Sequence, residues 1–230
     1  MPALKERIPE LRSSSQLLLV LARDWNATNA KLCAFERDDA GDWKAAGIES
    51  DVVIGRKGMA WGSGLHGNCE RGMACKKEGD ERTPAGVFQL DEIFGVAKAS
   101  KLRFPYRQVT ATTEAIDDPR SCFYNRFVDA GEVRRKDWAS SEHMLRSDDL
   151  YRWGIVVRHN WQQRPGYGSC IFLHTWLGPG QGTSGCTAMP SPALRKLIRW
   201  IDRAKRPVLV QLPVAEYRHL RSSWRLPERF

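Results

Sequence analysis

The stretch IFLHTWLGPGQGTSGCTAM, residues 171–189, joins an apolar strand to a Gly-rich loop and sets a His and a Cys at the two ends of that loop. Ile171, Phe172 and Leu173 have strand composition and lead into His174. Eleven residues separate His174 from Cys186, five of them Gly or Pro. That is enough chain to turn back and bring an imidazole beside a thiol. A thiol near its reference pKa of about 8.5 is mostly protonated at neutral pH, and an adjacent His is the usual way to activate it. Thr183, Ser184 and Gly185 are small and let a substrate approach the backbone closely. The N–H groups around Ser184 and Gly185 are candidates for holding a developing oxyanion. These residue types point to cysteine-based acyl transfer. The plainer reading is a small buried Cys and a hydrogen-bonded core His, and a second stretch bears on the choice.

That stretch is KKEGDERTPAGVFQL, residues 76–90. Alone it reads as a polar turn over Glu78 to Arg82, with Pro84 and Gly86 marking entry to an apolar strand. The pattern K-x-E-G-D-x-R-T-P-x-G-x-F, upstream of a His and of a Cys in S/T-x-G-C, resembles the L,D-transpeptidase catalytic domain (YkuD-like) family over about residues 50–212. DDPRSCFYNR at 117–126 and SEHMLRSDDLYRWGIVVRHN at 141–160 resemble one subgroup of it. The resemblance implies a mainly β fold, a sandwich of mostly antiparallel strands with a few short helices and a long irregular insertion. It implies acyl transfer on peptidoglycan stem peptides through a Cys thioester, without a cofactor, in the periplasm or cell envelope of a bacterium. Covalent inhibition by carbapenems is expected on the same basis. Cys186 matches the family nucleophile and His174 the His that takes its proton. Thr183 stands at the family's Ser/Thr position, and Gly185 matches the Gly before the Cys.

Three features depart from the family pattern. Ser184 stands where a His usually precedes the Gly, Ala188 stands where Arg or Asn is usual, and the His-to-Cys spacing is short. The departures leave the nucleophile and base in place and open the question of substrate register, so an unusual crosslink position fits. Water in place of an acceptor amine would make the reaction an L,D-carboxypeptidase. A wall-binding module with a dead site is the non-enzymatic alternative. A papain-like peptidase or amidase is disfavoured by order, because there the Cys precedes the His.

Composition sets outer limits. At 230 residues and 42% hydrophobic content the chain is long enough for one large domain. No apolar run approaches the roughly 20 residues of a membrane span. QLLLVLA at 16–22 is followed by Asp24 and Trp25 without a small-residue cleavage site, so it reads as a first strand and no export signal is visible. The net charge of +9 suits an anionic polymer or a solvated basic surface. The charge is spread along the chain and no nucleic-acid-binding signature is present, so nucleic acid is not an expected partner. Of six Cys, Cys69 and Cys75 flank a short turn and are placed to bridge. His66, Cys69 and Cys75 do not have common zinc spacing, and no metal is expected. GMAWGSGLHG at 58–67 lacks the Lys and helix entry of a phosphate loop.

Along the chain, residues 1–15 read as an N-terminal arm, 16–215 as the catalytic domain and 216–230 as a basic tail or helix. Strands are expected at 16–22, 31–36, 51–55, 85–90, 150–158, 169–174 and 207–212, with Asp91–Gly95 as a turn or short helix. The one clear helix is SPALRKLIRWID at 191–202, with Ser191 as N-cap and Pro192 at the first helical position. Residues 101–150 are irregular and rich in aromatics, which suits a lid or a substrate-binding surface. Thr183, Trp176, His159, Tyr151, His143 and Arg82 are further candidates for contact with substrate, each with a purely structural reading beside it, and Asp148 and Asp149 are weaker ones.

Overall fold

Every residue of QLLLVLA is buried, because this strand is paired on both edges and covered on both faces. The computed structural model describes residues 8–69, 72–98 and 101–228. Strands run β1 (Gln16–Ala22), β2 (Asn29–Arg37), β3 (Trp43–Val53), β4 (Met59–Trp61), β5 (Thr83–Gly95), β6 (Tyr106–Gln108), β7 (Thr113–Ile116), β8 (Phe127–Asp129), β9 (Ser141–His143), β10 (Trp153–Val157), β11 (Phe172–Thr175), β12 (Thr187–Met189) and β13 (Val208–Pro213). Helices are α1 (Pro9–Ser13), α2 (Ser191–Trp200) and α3 (Val214–Trp224). With 36% strand against 13% helix, the fold is mainly β and sandwich-like.

The main sheet closes on itself. β1 pairs antiparallel with β2 and parallel with β13, and β2 pairs antiparallel with β3. β13 passes to β5 through residues 86–89, and β5 passes to β10 through residues 90–95. From β10 the path returns through β11 and β12 to β3. Most pairings are antiparallel; β1–β13, β11–β12, β4–β5 and β5–β6 are parallel.

β5 corrects one expectation. Asp91–Gly95 is neither turn nor helix but the second half of a continuous strand, with Ile93 and Phe94 fully buried. Pairing with β10 and β6 holds it extended although Asp and Gly favour turns. β3 likewise begins at Trp43, well before the expected Asp51. In α2, Ser191 is the first helical residue and Pro190 the cap, with no side-chain capping bond. The helix still buries the apolar face of Leu194, Leu197 and Ile198. α3 starts at Val214, ahead of the expected 216. The expectations for residues 1–7 and 229–230 lie outside the described residues.

The region 101–150 is irregular but carries a separate three-stranded sheet, β8-β7-β9. It is stapled to the main body by Asn125. The Asn125 side chain donates to the carbonyls of His159 and Asn160 and accepts from the Cys170 N–H. Beneath it Phe94, Phe127, Tyr151 and Phe172 meet edge to face, pairings worth about 1 kcal/mol each beyond burial. Cys170 and Cys186 belong to this aromatic cluster.

Cys69 and Cys75 form a disulfide. The buried His66 ring accepts from the Val87 N–H and faces the Gly62 carbonyl. The described residues contain no group of His, Cys, Asp and Glu arranged to hold a metal. Among them no helix is long and apolar enough to cross a membrane.

Candidate active site

In the parallel pair β11–β12, His174 lies opposite Ala188, and Cys186 stands one residue before β12. The His174 and Cys186 side chains both line a cavity of about 840 Å³. The loop before the Cys is fastened by two threonines. Thr83, fully buried, donates through its hydroxyl to the carbonyls of Gly185 (2.8 Å) and Cys186 (3.2 Å) and accepts from the Gly55 N–H. Thr183 Oγ1 donates to the Cys186 carbonyl (2.6 Å) and accepts from the Gly185 N–H (3.1 Å). Gly185 sits at φ +149°, which favours a residue without a side chain.

His174 Nδ1 lies 2.7 Å from the Thr175 carbonyl. A carbonyl only accepts, so the proton is assigned to Nδ1 and the Nε2 lone pair is free. The Tyr151 ring stands edge-on to the imidazole at 5.2 Å. Cys186 Sγ accepts from the Phe172 N–H at 3.3 Å and directs its own hydrogen to the Cys170 carbonyl at 3.5 Å. No hydrogen bond joins the imidazole to the sulfur in this conformation, in which the thiol hydrogen is directed to Cys170 instead. Burial pushes the thiol up to about 12; the Glu142 carboxylate adds to this, while the Phe172 N–H and the Lys76 ammonium oppose it. Burial lowers His174 to about 4, against the Thr175 carbonyl. The resting pair is therefore neutral thiol and neutral imidazole. Proton transfer between them is uphill in this resting state.

One wall of the cavity is acidic. Glu78, Asp117 and Glu142 line it. Glu78 accepts from the Tyr124 hydroxyl and from Ser169 Oγ (2.8 Å). Glu142 accepts from the Tyr151 hydroxyl at 2.5 Å, and burial, helped by Asp117 and Glu78, raises its pKa. The nearby cations are engaged elsewhere: Arg146 with Asp148, Lys76 with Asp80, and Arg56 with Glu81 and Ser184.

The expected site residues divide clearly. Trp176, half-buried, and His143, exposed on β9, line the cavity, as do Tyr151, Thr183 and Ser184. Two others do not. His159 is buried behind the site, accepting from the Ser63 N–H and facing the Tyr167 carbonyl, so both ring nitrogens are used structurally. Arg82 turns away and donates to the Met59 carbonyl at 2.9 Å, tying β4 to the loop before β5. The oxyanion assignment also shifts. The Gly185 N–H is held by Thr183 Oγ1 and is not free for an oxyanion in this conformation. Lys76, Thr83, Asp117 and Glu142 had no role in the sequence reading. The signal for the first two was their place in the K-x-E-G-D-x-R-T-P run, which reads locally as a turn.

A closed, mainly β sheet with a thiol and an imidazole facing one cavity defines a thiol-bearing β-sandwich domain. The chain belongs to the L,D-transpeptidase catalytic domain (YkuD) family, which matches residues 34–210. The match starts earlier than the resemblance over 50–212 and takes in the end of β2 and all of β3. Neither the comparison with curated proteins nor that with solved structures found a match.

Proposed function

We propose that this protein is a cysteine acyltransferase of the bacterial cell envelope that acts on peptidoglycan stem peptides as an L,D-transpeptidase. The observation that carries the reading is the shared cavity face of Cys186 and His174, with His174 Nδ1 tied to the Thr175 carbonyl. Family membership supplies the substrate class. His174 Nε2 takes the Cys186 proton as the sulfur attacks a stem-peptide carbonyl. The Cys186 N–H faces the oxyanion; loss of such a donor typically costs about 3 kcal/mol. The C–N bond breaks, the amine leaves with the proton from His174, and a thioester remains on Cys186. An amine of a second stem then attacks the thioester, gives its proton to His174 and restores the thiol. The acidic wall favours an ammonium-bearing acceptor over water, which supports transfer above hydrolysis.

The test is intact-protein mass spectrometry after incubation with a disaccharide-tetrapeptide and, separately, with a carbapenem. The native chain is expected to gain an adduct at Cys186, with crosslinked peptide in solution, and Cys186→Ala to gain none. Shortened peptide without crosslinks would move the reading to a carboxypeptidase. A folded native chain with neither adduct nor product would favour a binding module.

A further inference from the structure

Lys76 is a buried charge that the mechanism above leaves unused. It is 4% exposed and lines the cavity with Cys186. Lysine is almost never buried unless paired, and here the pair is Asp80. Asp80 is fixed in turn, since it accepts from the backbone N–H groups of Lys77 (2.7 Å) and Arg82 (2.9 Å). The Lys76 ammonium also donates to the Lys77 carbonyl at 2.8 Å. Two of its three N–H donors are thus accounted for, and the third remains for the cavity. Its stem packs against the nucleophile loop: a β-carbon built on Gly185 would lie 3.7 Å from Lys76 Cε. A buried ion pair is a weak stabiliser, because desolvation offsets attraction and apolar replacements often serve as well. Its place beside the cysteine calls for another explanation.

We propose that Lys76 is a positioning residue that holds an ammonium beside the Cys186 sulfur and stabilises the thiolate formed during attack. The proposal rests on the reading of Cys186 as nucleophile. The charges around the sulfur show why it is needed. Glu142, hydrogen-bonded by Tyr151, lines the same cavity and disfavours a second negative charge on the sulfur, and Asp117 and Glu78 line the cavity too. The neighbours on β11 and before it, His174 and Cys170, are neutral when buried. Arg146 is neutralised by Asp148, and Arg56 by Glu81. Lys76 is the cation that lowers the thiol against burial and Glu142.

The experiment is the rate of Cys186 alkylation by iodoacetamide against pH, with the modified peptide mapped, in the native protein and in Lys76→Met, Lys76→Arg and Asp80→Asn. The Lys76→Met midpoint is expected to rise by about one pH unit, with a roughly tenfold slower rate at neutral pH. Lys76→Arg should recover most of the loss. Asp80→Asn frees the ammonium from its counter-charge and should lower the midpoint while the buried Cys33 and Cys170 keep their native alkylation rates, whereas a loosened fold that exposes thiols would speed those as well. A folded Lys76→Met with the native midpoint overturns the proposal. Should Lys76→Met fail to fold, Asp80→Asn decides: a lowered midpoint supports it, and an unchanged or raised one overturns it. Acylation by the tetrapeptide separates the two readings. Native protein that acylates but whose midpoint ignores Lys76 loses this proposal alone. Cys186 that alkylates no faster than the buried Cys33 loses the nucleophile reading, and Lys76 with it.

Discussion

Asp117 Oδ1 is enclosed and meets no hydrogen-bond donor among the described residues. A buried carboxylate oxygen without a partner is costly, and native proteins keep few of them. Glu142 and Glu78 stand on the same wall, and the arginines and lysine nearby are tied to other carboxylates. Under the proposed acyl transfer, an ammonium carried by the acceptor would supply the counter-charge that Asp117 lacks. Asp117→Asn keeps the shape and removes the charge. A hydrogen bond to a charged group is worth about 1.5 kcal/mol or more, so thioester aminolysis by an added diamine should slow roughly tenfold. Acylation by the tetrapeptide should suffer less. Both steps followed by quenched mass spectrometry check this; equal losses would show that Asp117 shapes the cavity instead of binding the acceptor.

At the scale of the element, the cysteine loop is held by the start of β5. Thr83 joins three backbone groups from two distant segments, Gly55 on one side and Gly185 with Cys186 on the other. Thr83→Val keeps the volume and strands those groups. The cost in denaturant unfolding should be about 1–3 kcal/mol, with Cys186 acylation at least about tenfold slower, since displacement of a nucleophile by about 1 Å is enough for a larger loss. Lower stability with unchanged acylation would mean that the loop finds its place without Thr83. The same strand shows what a sequence can and cannot disclose. β1, β10, β11 and β13 are legible because their apolar runs are bounded by turn residues. Asp91–Gly95 is not, because its strand character comes from β10, far along the chain. In the site, His174 and Cys186 stand out because an imidazole and a thiol at the two ends of one Gly-rich loop are legible as a candidate pair from residue type and spacing alone. Lys76, Asp117 and Glu142 do not, because a charged residue in a polar stretch reads as solvated surface until the fold encloses it.

For the whole molecule, closing the sheet buries His66, His159 and His174, and desolvation lowers His159 and His174 to about 4. Unfolded, each titrates near about 6.5. Between those values the unfolded chain binds protons that the native chain refuses, so stability is complete above about 6.5 and is lost as pH falls toward 4. Each histidine can contribute up to about 3 kcal/mol across that window. Glu142, whose pKa is raised by burial, works in the opposite sense above its unfolded value and offsets part of the loss. Asp118 is held well below the usual carboxylate range by Arg120 and backbone N–H groups, so its own contribution fades only at lower pH. Urea midpoints should therefore fall between pH 7 and 4.5. His159→Gln, which retains one acceptor for the Ser63 N–H and one donor for the Tyr167 carbonyl, should make the fall smaller. His159 lies outside the cavity, so the variant separates stability from catalysis. An undiminished fall in His159→Gln would place the acid sensitivity outside this buried ring.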